Sequence, residues 1–493
     1  MSAASLTRRG LLAAGAAVGA TALVAPEQAF ARAANSGDWT LAFADVEADV
    51  APHAMRLVHG RPPARLKGVL YRNGPGKFRR PGGAATHWFD GDGLIRRFAI
   101  DDGRAQAAAR FADTHKRRVE AERGAMVMPG FGTRGAPDAP ISSNDDVNAA
   151  NTSVMAPDGK LWALWEGGSA LELDPGTLET RGFVTLRPDL KSMPFSAHPR
   201  YEPDGRVWNF GLYGRRAVIW RLSRDGALEA ADIVDLPQAS FFHDFTATDR
   251  HLVIVLQPWV RGDRMVLPVS RAFQWRPELG TKVLVVDKAD LSRRRVFDLP
   301  AFSFFHLGDA WEEGDGTIRF DVCASDDPTF GIDGAEGLLL GRLAPSPPAR
   351  LARIALHPDG RGRFEPTGTI AEFPKGDPRF AGRARALTFH VWGEAGRESR
   401  TPLAQGVASS NHRTGAVDRY DFGLRHLAEE PIFTPRPGST AEGDGWLLAT
   451  TVNLDARATE LHVFDARRIA AGPIATWRAG VALPATFHGT FVS

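Results

Sequence analysis

The 493-residue chain contains a single cysteine, Cys323. It can form no intramolecular disulfide and no thiolate-rich metal site, whatever the compartment, so any metal must be held by His, Asp or Glu. An excess of one charge sign is also missing: 60 Lys and Arg stand against 58 Asp and Glu. The basic residues are scattered, and the run Arg293-Arg294-Arg295 follows Asp290-Leu291-Ser292 as a solvated loop would, so nothing favours nucleic acid as a partner. Convincing long amphipathic helices are lacking. Past the N-terminus, no apolar stretch is long enough to span a bilayer, which takes ~20 residues. Tyrosine is scarce, four residues against 29 Phe.

The N-terminus itself reads Ser5-Leu6-Thr7-Arg8-Arg9-Gly10-Leu11-Leu12, continues with small apolar residues to Ala25, and reaches Ala29-Phe30-Ala31-Arg32-Ala33. Paired arginines, a short apolar run and small residues near a cleavage site make residues 1–33 a secretory signal of the twin-arginine type, with cleavage near Ala31 or Ala33. The expectation is an exported, periplasmic protein whose mature part, residues 34–493, is soluble or peripheral to a membrane.

What is abundant is turn chemistry. The 51 Gly and 34 Pro fall largely between short β-rich runs. Leu161-Trp162-Ala163-Leu164-Trp165 follows Pro157-Asp158-Gly159, Arg206-Val207-Trp208-Asn209-Phe210 follows Pro203-Asp204-Gly205, and similar runs flank Asp225-Gly226, Asp315-Gly316 and Asp444-Gly445. Asp-Gly supplies the positive φ angles of tight hairpins. The chain therefore reads as a long series of antiparallel hairpins, an all-β protein that could be a sandwich, a barrel or a propeller.

Histidine chooses among these. Ser303-Phe304-Phe305-His306-Leu307-Gly308 has near copies at Ser240-Phe241-Phe242-His243-Asp244 and Thr486-Phe487-His488-Gly489, and a looser one at Ser196-Ala197-His198-Pro199. A lone histidine in such a context is usually a core residue satisfied by a carbonyl. Four in one kind of context, tens of residues apart, can meet only in a fold that returns repeatedly to one point, as the innermost strands of a propeller do. Four imidazoles suit Fe, Zn, Cu or Ni rather than Mg or Ca, and do not choose among the first four. Neutral ligands call for carboxylates behind them to fix the tautomers and balance charge. Glu166, Glu372 and Glu442 lie in β-like, partly apolar contexts, although an exposed turn residue is the plainer reading of Glu442.

The motifs Leu70-Tyr71-Arg72-Asn73-Gly74-Pro75-Gly76, His87-Trp88-Phe89-Asp90-Gly91-Asp92-Gly93, Trp165-Glu166-Gly167-Gly168, His243-Asp244-Phe245, Glu372-Phe373-Pro374 and Phe487-His488-Gly489 occur in one order from about residue 65 to the C-terminus. In this the chain resembles the carotenoid cleavage oxygenases, nonheme iron dioxygenases related to the retinoid isomerase of the eye and to lignostilbene dioxygenase. The resemblance implies a seven-bladed β-propeller with a loop and helix cap over its iron-bearing face. It implies Fe(2+) held by His198, His243, His306 and His488, with Glu166 orienting His243, Glu372 orienting His306, Glu442 orienting His488, and His198 without a carboxylate. It makes His87 structural and His390, in Thr388-Phe389-His390, a decoy.

The implied reaction is cleavage of a carbon-carbon double bond of a carotenoid or apocarotenoid by O2, giving two carbonyl products. Cleavage of a stilbene-type phenolic is the alternative within the family, and a non-catalytic exported propeller that binds a ligand is the alternative outside it. Lignostilbene-cleaving members hold a phenol through a Tyr and a Lys near the iron. Aligned by eye, those places fall close to Ala107 and Val147, neither of which can anchor a phenol. An apolar polyene taken from a membrane fits better, with Met126-Val127-Met128 and Met265 to Val269 expected to rest on the bilayer.

Overall fold

A computed structural model describes residues 38–262, 266–398 and 400–493; the expected signal, residues 1–33, and Met265 lie outside the described residues. The hairpins expected from Asp-Gly form. Gly205 and Gly226 take φ of +88° and +83° and turn the chain between the strands Arg200–Tyr201, Val207–Tyr213, Arg216–Leu222 and Leu228–Asp235, which pair antiparallel in sequence order. Asp444-Gly445 behaves differently: Gly443 takes the positive φ, +70°, and Gly445 already begins the strand Gly445–Asn453.

Among the described residues, six antiparallel sheets have four or more strands. Their central strands are apolar on both faces because each sheet is packed between two others. In His251–Leu256, for example, Leu252, Ile254 and Leu256 join a core with Trp208, Phe210 and Ile219 of the preceding sheet. Val253 and Val255, pointing the other way by the two-residue period of a strand, join Phe304, Phe320 and Val322 of the next. The same alternation carries the packing around the molecule until Leu448, Leu461 and Val463 of the last sheet meet Leu70, Phe98 and Ile100 of the first.

The chain ends complete the ring. The C-terminal strand Gly489–Val492 pairs with Gly68–Lys77 of the first sheet, and Arg56–Gly60, near the N-terminus, pairs with Ala475–Arg478 of the last. A ring of sheets closed this way is a β-propeller, with short innermost strands bordering one axis.

The segment expected as a capping loop from Lys116 contains the helix His115–Arg123. It starts on the Thr114 side chain, which accepts from Arg117 N at 3.1 Å, and stops at Gly124 in the left-handed region (φ 62°). Lys116 anchors it by Nζ contacts of 3.0 Å to Asp92 and 2.7 Å to Glu120. This tether draws the following residues inward, and the expectation of an exposed Met126-Val127-Met128 is corrected: all three are buried. Val266 and Leu267 do stand exposed, at 42 % and 46 %.

Candidate metal centre

Each of the four recurring histidines sits on, or a few residues before, an innermost strand: His198 before Arg200–Tyr201, His243 before Thr246–Ala247, His306 within Ser303–Leu307 and His488 before Gly489–Val492. Asp244 ties three of these segments into one frame. Its carboxylate accepts from Arg200, beside His198, at 2.7 and 2.9 Å, and from the Leu307 N–H, beside His306, at 2.8 Å. Arg200 in turn donates to the carbonyls of Phe245 and Leu307 at 2.6 and 3.0 Å. Arg72 fixes the fourth segment through Thr486 Oγ1 and the Glu430 carbonyl, each at 2.6 Å.

The four rings converge by their Nε2 atoms. His198 to His243 is 2.9 Å, His243 to His306 3.4 Å and His306 to His488 3.1 Å, and all four donors lie within 4.8 Å of one another. The outer nitrogens face carboxylates. Glu372 contacts His306 Nδ1, Glu166 lies against His243 Nδ1 in close charge contact, and Glu430 Oε1 is 2.9 Å from His488 Nδ1. Asp244, committed to Arg200, stays 3.8 Å from His198 Nδ1.

A carboxylate that accepts an Nδ1–H leaves Nε2 bare, so lone pairs aim at one another across the axis. That arrangement is repulsive unless a cation lies among them. Two donors at right angles about a metal with ~2.1 Å M–N bonds sit ~3 Å apart, close to the spacings found. The donor set therefore fits a transition metal.

The electrostatics favour bare rings at His198 and His488 and pull the other way at His243. Burial, followed by the neighbouring imidazoles, holds His198 well below its ordinary pKa. Burial also brings His488 down to about 3, against the opposing pull of Glu430. For His243, burial disfavours the proton, but Glu166 followed by Asp244 and Glu372 outweighs it and raises the pKa. Glu430 would be pushed up by burial, yet Lys375, His488 and Arg72 hold it well below the usual range, so it stays an anion in a dry site.

The expected role of Glu442 is corrected. Its carboxylate accepts from the backbone N–H of Ala386 at 2.7 and 2.9 Å and of Leu387 at 2.7 Å, tying a turn to a neighbouring loop. Glu430 takes the place behind His488 because it lies between His426–Ala428 and Ile432–Pro435, the innermost strands of the last sheet. Its neighbourhood, Leu427-Ala428-Glu429-Glu430-Pro431-Ile432-Phe433, was the available signal: acidic residues inside an apolar run have to be paired.

His87 and His390 are core residues. His87 bonds the Gly331 carbonyl and accepts from Phe89 N. His390 bonds the Val391 carbonyl and Ser410 Oγ, both at 2.8 Å, with burial lowering its pKa to about 4.

Beside the histidines lies a cavity of 2310 Å³, between the ring face and loops at 129–147, 266–273, 328–349 and 394–405. Its inner wall is aromatic. Phe241 is stacked with the His243 ring at 6.0 Å, Phe305 meets that ring edge-on at 5.4 Å, and Phe373 stacks on His306 at 4.8 Å. Glu166 and Glu372 border it too. No lysine lines it among the described residues, and its one tyrosine, Tyr213, is 56 % exposed. Val147 lines the cavity. Ala107 does not: it is buried in the core between the first and last sheets, so that aligned position is no place for an anchor in this fold.

Four converging imidazoles on the axis of a propeller, beside an apolar cavity, define the chain as a β-propeller with a candidate metal site. The chain belongs to the family described as Retinal pigment epithelial membrane protein, the carotenoid cleavage oxygenases, whose pattern matches residues 43–493. Among its relatives, isoeugenol monooxygenase of Pseudomonas putida is 30 % identical over 460 residues, covering 88 % of this chain and 94 % of that one. Apocarotenoid-15,15'-oxygenase of Synechocystis is 29 % identical over 460 residues, covering 88 % and 92 %. Resveratrol cleavage oxygenase 1 of Aspergillus fumigatus is 30 % identical over 440, covering 83 % and 86 %. The crystal structure of cobalt-substituted Synechocystis apocarotenoid oxygenase superposes with a TM-score of 0.81 at 25 % identity, covering 92 % of this chain and 98 % of that one.

Proposed function

We propose that the protein is an iron(II)-dependent dioxygenase that cleaves one carbon-carbon double bond of a carotenoid or apocarotenoid with O2. Both oxygen atoms end in the two carbonyl products, so no external reductant is needed. The observation that carries this reading is the cluster of four converging Nε2 donors, three of them, on His243, His306 and His488, facing a large, mainly apolar cavity whose inner wall is aromatic. Iron(II) supplies the redox capacity to engage O2, which zinc lacks. The chain supplies the rest. His198, His243, His306 and His488 would hold the ion, and Glu166, Glu372 and Glu430 keep three of the rings in the tautomer that leaves Nε2 free. Phe241, Phe305 and Phe373 exclude water and confine an extended apolar chain beside it.

The cavity volume exceeds the ~300–1,000 Å³ of drug-sized pockets, which suits a long polyene. We read the ring as seven-bladed, the eight-stranded sheet being two blades that share Gly362–Lys375. This strand pairs with Arg350–Leu356 over Gly362 to Ile370 and with Leu387–Gly393 from Ile370 on, and Gly368 takes φ +81° in the register shift just before the change of partner.

Oxygen uptake and product masses with apocarotenoids and hydroxystilbenes test the substrate. Faster cleavage of apocarotenoids is expected. The second reading, a stilbene or phenylpropanoid substrate, is favoured by the isoeugenol and resveratrol oxygenases among the relatives, and hydroxystilbene turnover with apocarotenoids inert would establish it. No uptake with any of them would leave a ligand-binding propeller.

Peripheral membrane contact is part of the same proposal. Ile141, Tyr213, Val266 and Leu267, all at least 42 % exposed, border the cavity. Burying an apolar side chain of this size is worth ~1.5–3 kcal/mol when complete, so converting Val266 and Leu267 to Ser is expected to weaken liposome partitioning by roughly tenfold or more. Equal sedimentation of the double variant and wild type with liposomes would remove this contact surface.

A further inference from the structure

The strand Gly362–Lys375 carries a register break beside the metal centre. Glu372 pairs with Val391 and Lys375 with Phe389, so three residues advance on one strand while two advance on its partner. The extra residue is accommodated where Phe373 adopts φ +56°, a conformation uncommon for a bulky side chain. In a regular strand, residues 372 and 375 would lie on opposite faces; the bulge turns both toward the axis. Glu372 then meets His306 Nδ1, and Lys375 Nζ lies 3.1 Å from Glu430 Oε1, the oxygen that faces His488 Nδ1.

The three outer carboxylates are therefore unequal. The side chains of Glu166 and Glu372 are 35 % and 25 % exposed, whereas that of Glu430 is fully buried and flanked by two cations, with Arg72 Nη1 at 3.8 Å. We propose that Lys375 is a positioning residue that holds Glu430 in place behind His488 and partly neutralises it. It thereby lowers the negative charge felt at the centre and favours a reduced, divalent ion over a trivalent one. The inference rests on the reading of the four histidines as a metal site.

Two electrostatic steps give the same sign. Loss of the ammonium removes a nearby positive charge, and it leaves Glu430 a stronger acceptor for the His488 N–H, which makes that imidazole a better donor. Replacement of Lys375 by Met should therefore tighten binding of a divalent ion, whereas a lysine that merely supported the fold would weaken it when removed.

Cobalt(II) binding to metal-stripped, full-length protein, followed by calorimetry, provides the test. Lys375→Met is expected to tighten binding by roughly 3- to 10-fold and Lys375→Arg to match wild type. In a Glu430→Gln background, where the carboxylate charge is gone, the effect of Lys375→Met should shrink to the smaller part that the ammonium exerts directly on the ion. On iron-loaded protein, the Fe(III)/Fe(II) potential should fall in Lys375→Met and recover in Lys375→Arg. Unchanged or weaker cobalt binding in Lys375→Met, or the same change in both backgrounds, overturns the proposal. Failure of wild type itself to bind cobalt would instead overturn the metal site on which it rests.

Discussion

Alanine at any one of His198, His243, His306 or His488 is expected to lower metal affinity by more than 100-fold and turnover to background, while His390→Ala keeps both. The size follows from the geometry. The four Nε2 atoms are within 4.8 Å of one another, and the segments that bear them are locked by Asp244, Arg200 and Arg72, so no neighbouring side chain can swing in to replace a lost ligand. Cys323 is buried, and burial foremost raises its thiol pKa well above the ordinary value, so it offers no ready thiolate. Loss of even an outer-shell partner typically costs 10–100-fold in affinity or activity, and loss of a ligand should exceed that. His390 spends both ring nitrogens on Val391 and Ser410 and has nothing to give a metal. Metal analysis and oxygen uptake on the five variants decide the matter, and a ligand variant with wild-type metal content would strike that residue from the site.

How much of this was legible in the sequence depended on how local each signal is. Hairpins could be read at Asp204-Gly205 and Asp225-Gly226 because the turn fixes them within four residues. The histidines could be read because the phrase around them recurs, and recurrence survives ignorance of the fold. The partner of His488 could not be found by local context. Glu430 and Glu442 differ in which strand of the last sheet they adjoin, and only the pairing of His426–Ala428 and Ile432–Pro435 with Gly445–Asn453 brings the former to the axis. Met126 to Met128 failed for a similar reason. Their burial depends on the helix before them being tethered by Lys116 to Asp92, 24 residues earlier in the chain. Ala107 looked like a cavity position only until its strand, Arg104–Phe111, was seen to face the last sheet.

Exchanging one oxygen for nitrogen at Glu430 and at Glu442 should produce opposite results. Glu430 Oε1 faces His488 Nδ1 at 2.9 Å and Oε2 accepts from Gly489 N at 2.8 Å. A glutamine can accept from only one of these donors and turns an N–H toward the other, while Arg72 and Lys375 lose the anion they flank. His488 is then freed to place its proton on Nε2, the atom that must be bare. Metal affinity should fall by roughly 10- to 100-fold. Glu442→Gln has no ring to disturb. It weakens the acceptor for the Ala386 and Leu387 N–H groups, at a cost of about 1–3 kcal/mol in stability, and leaves metal affinity at the wild-type value. Calorimetric metal titration of the stripped proteins, paired with denaturant melts, reads both quantities. Equal metal affinities for the two variants would remove Glu430 from the metal centre, and a metal defect confined to Glu442→Gln would return the role to the residue that sequence context first suggested.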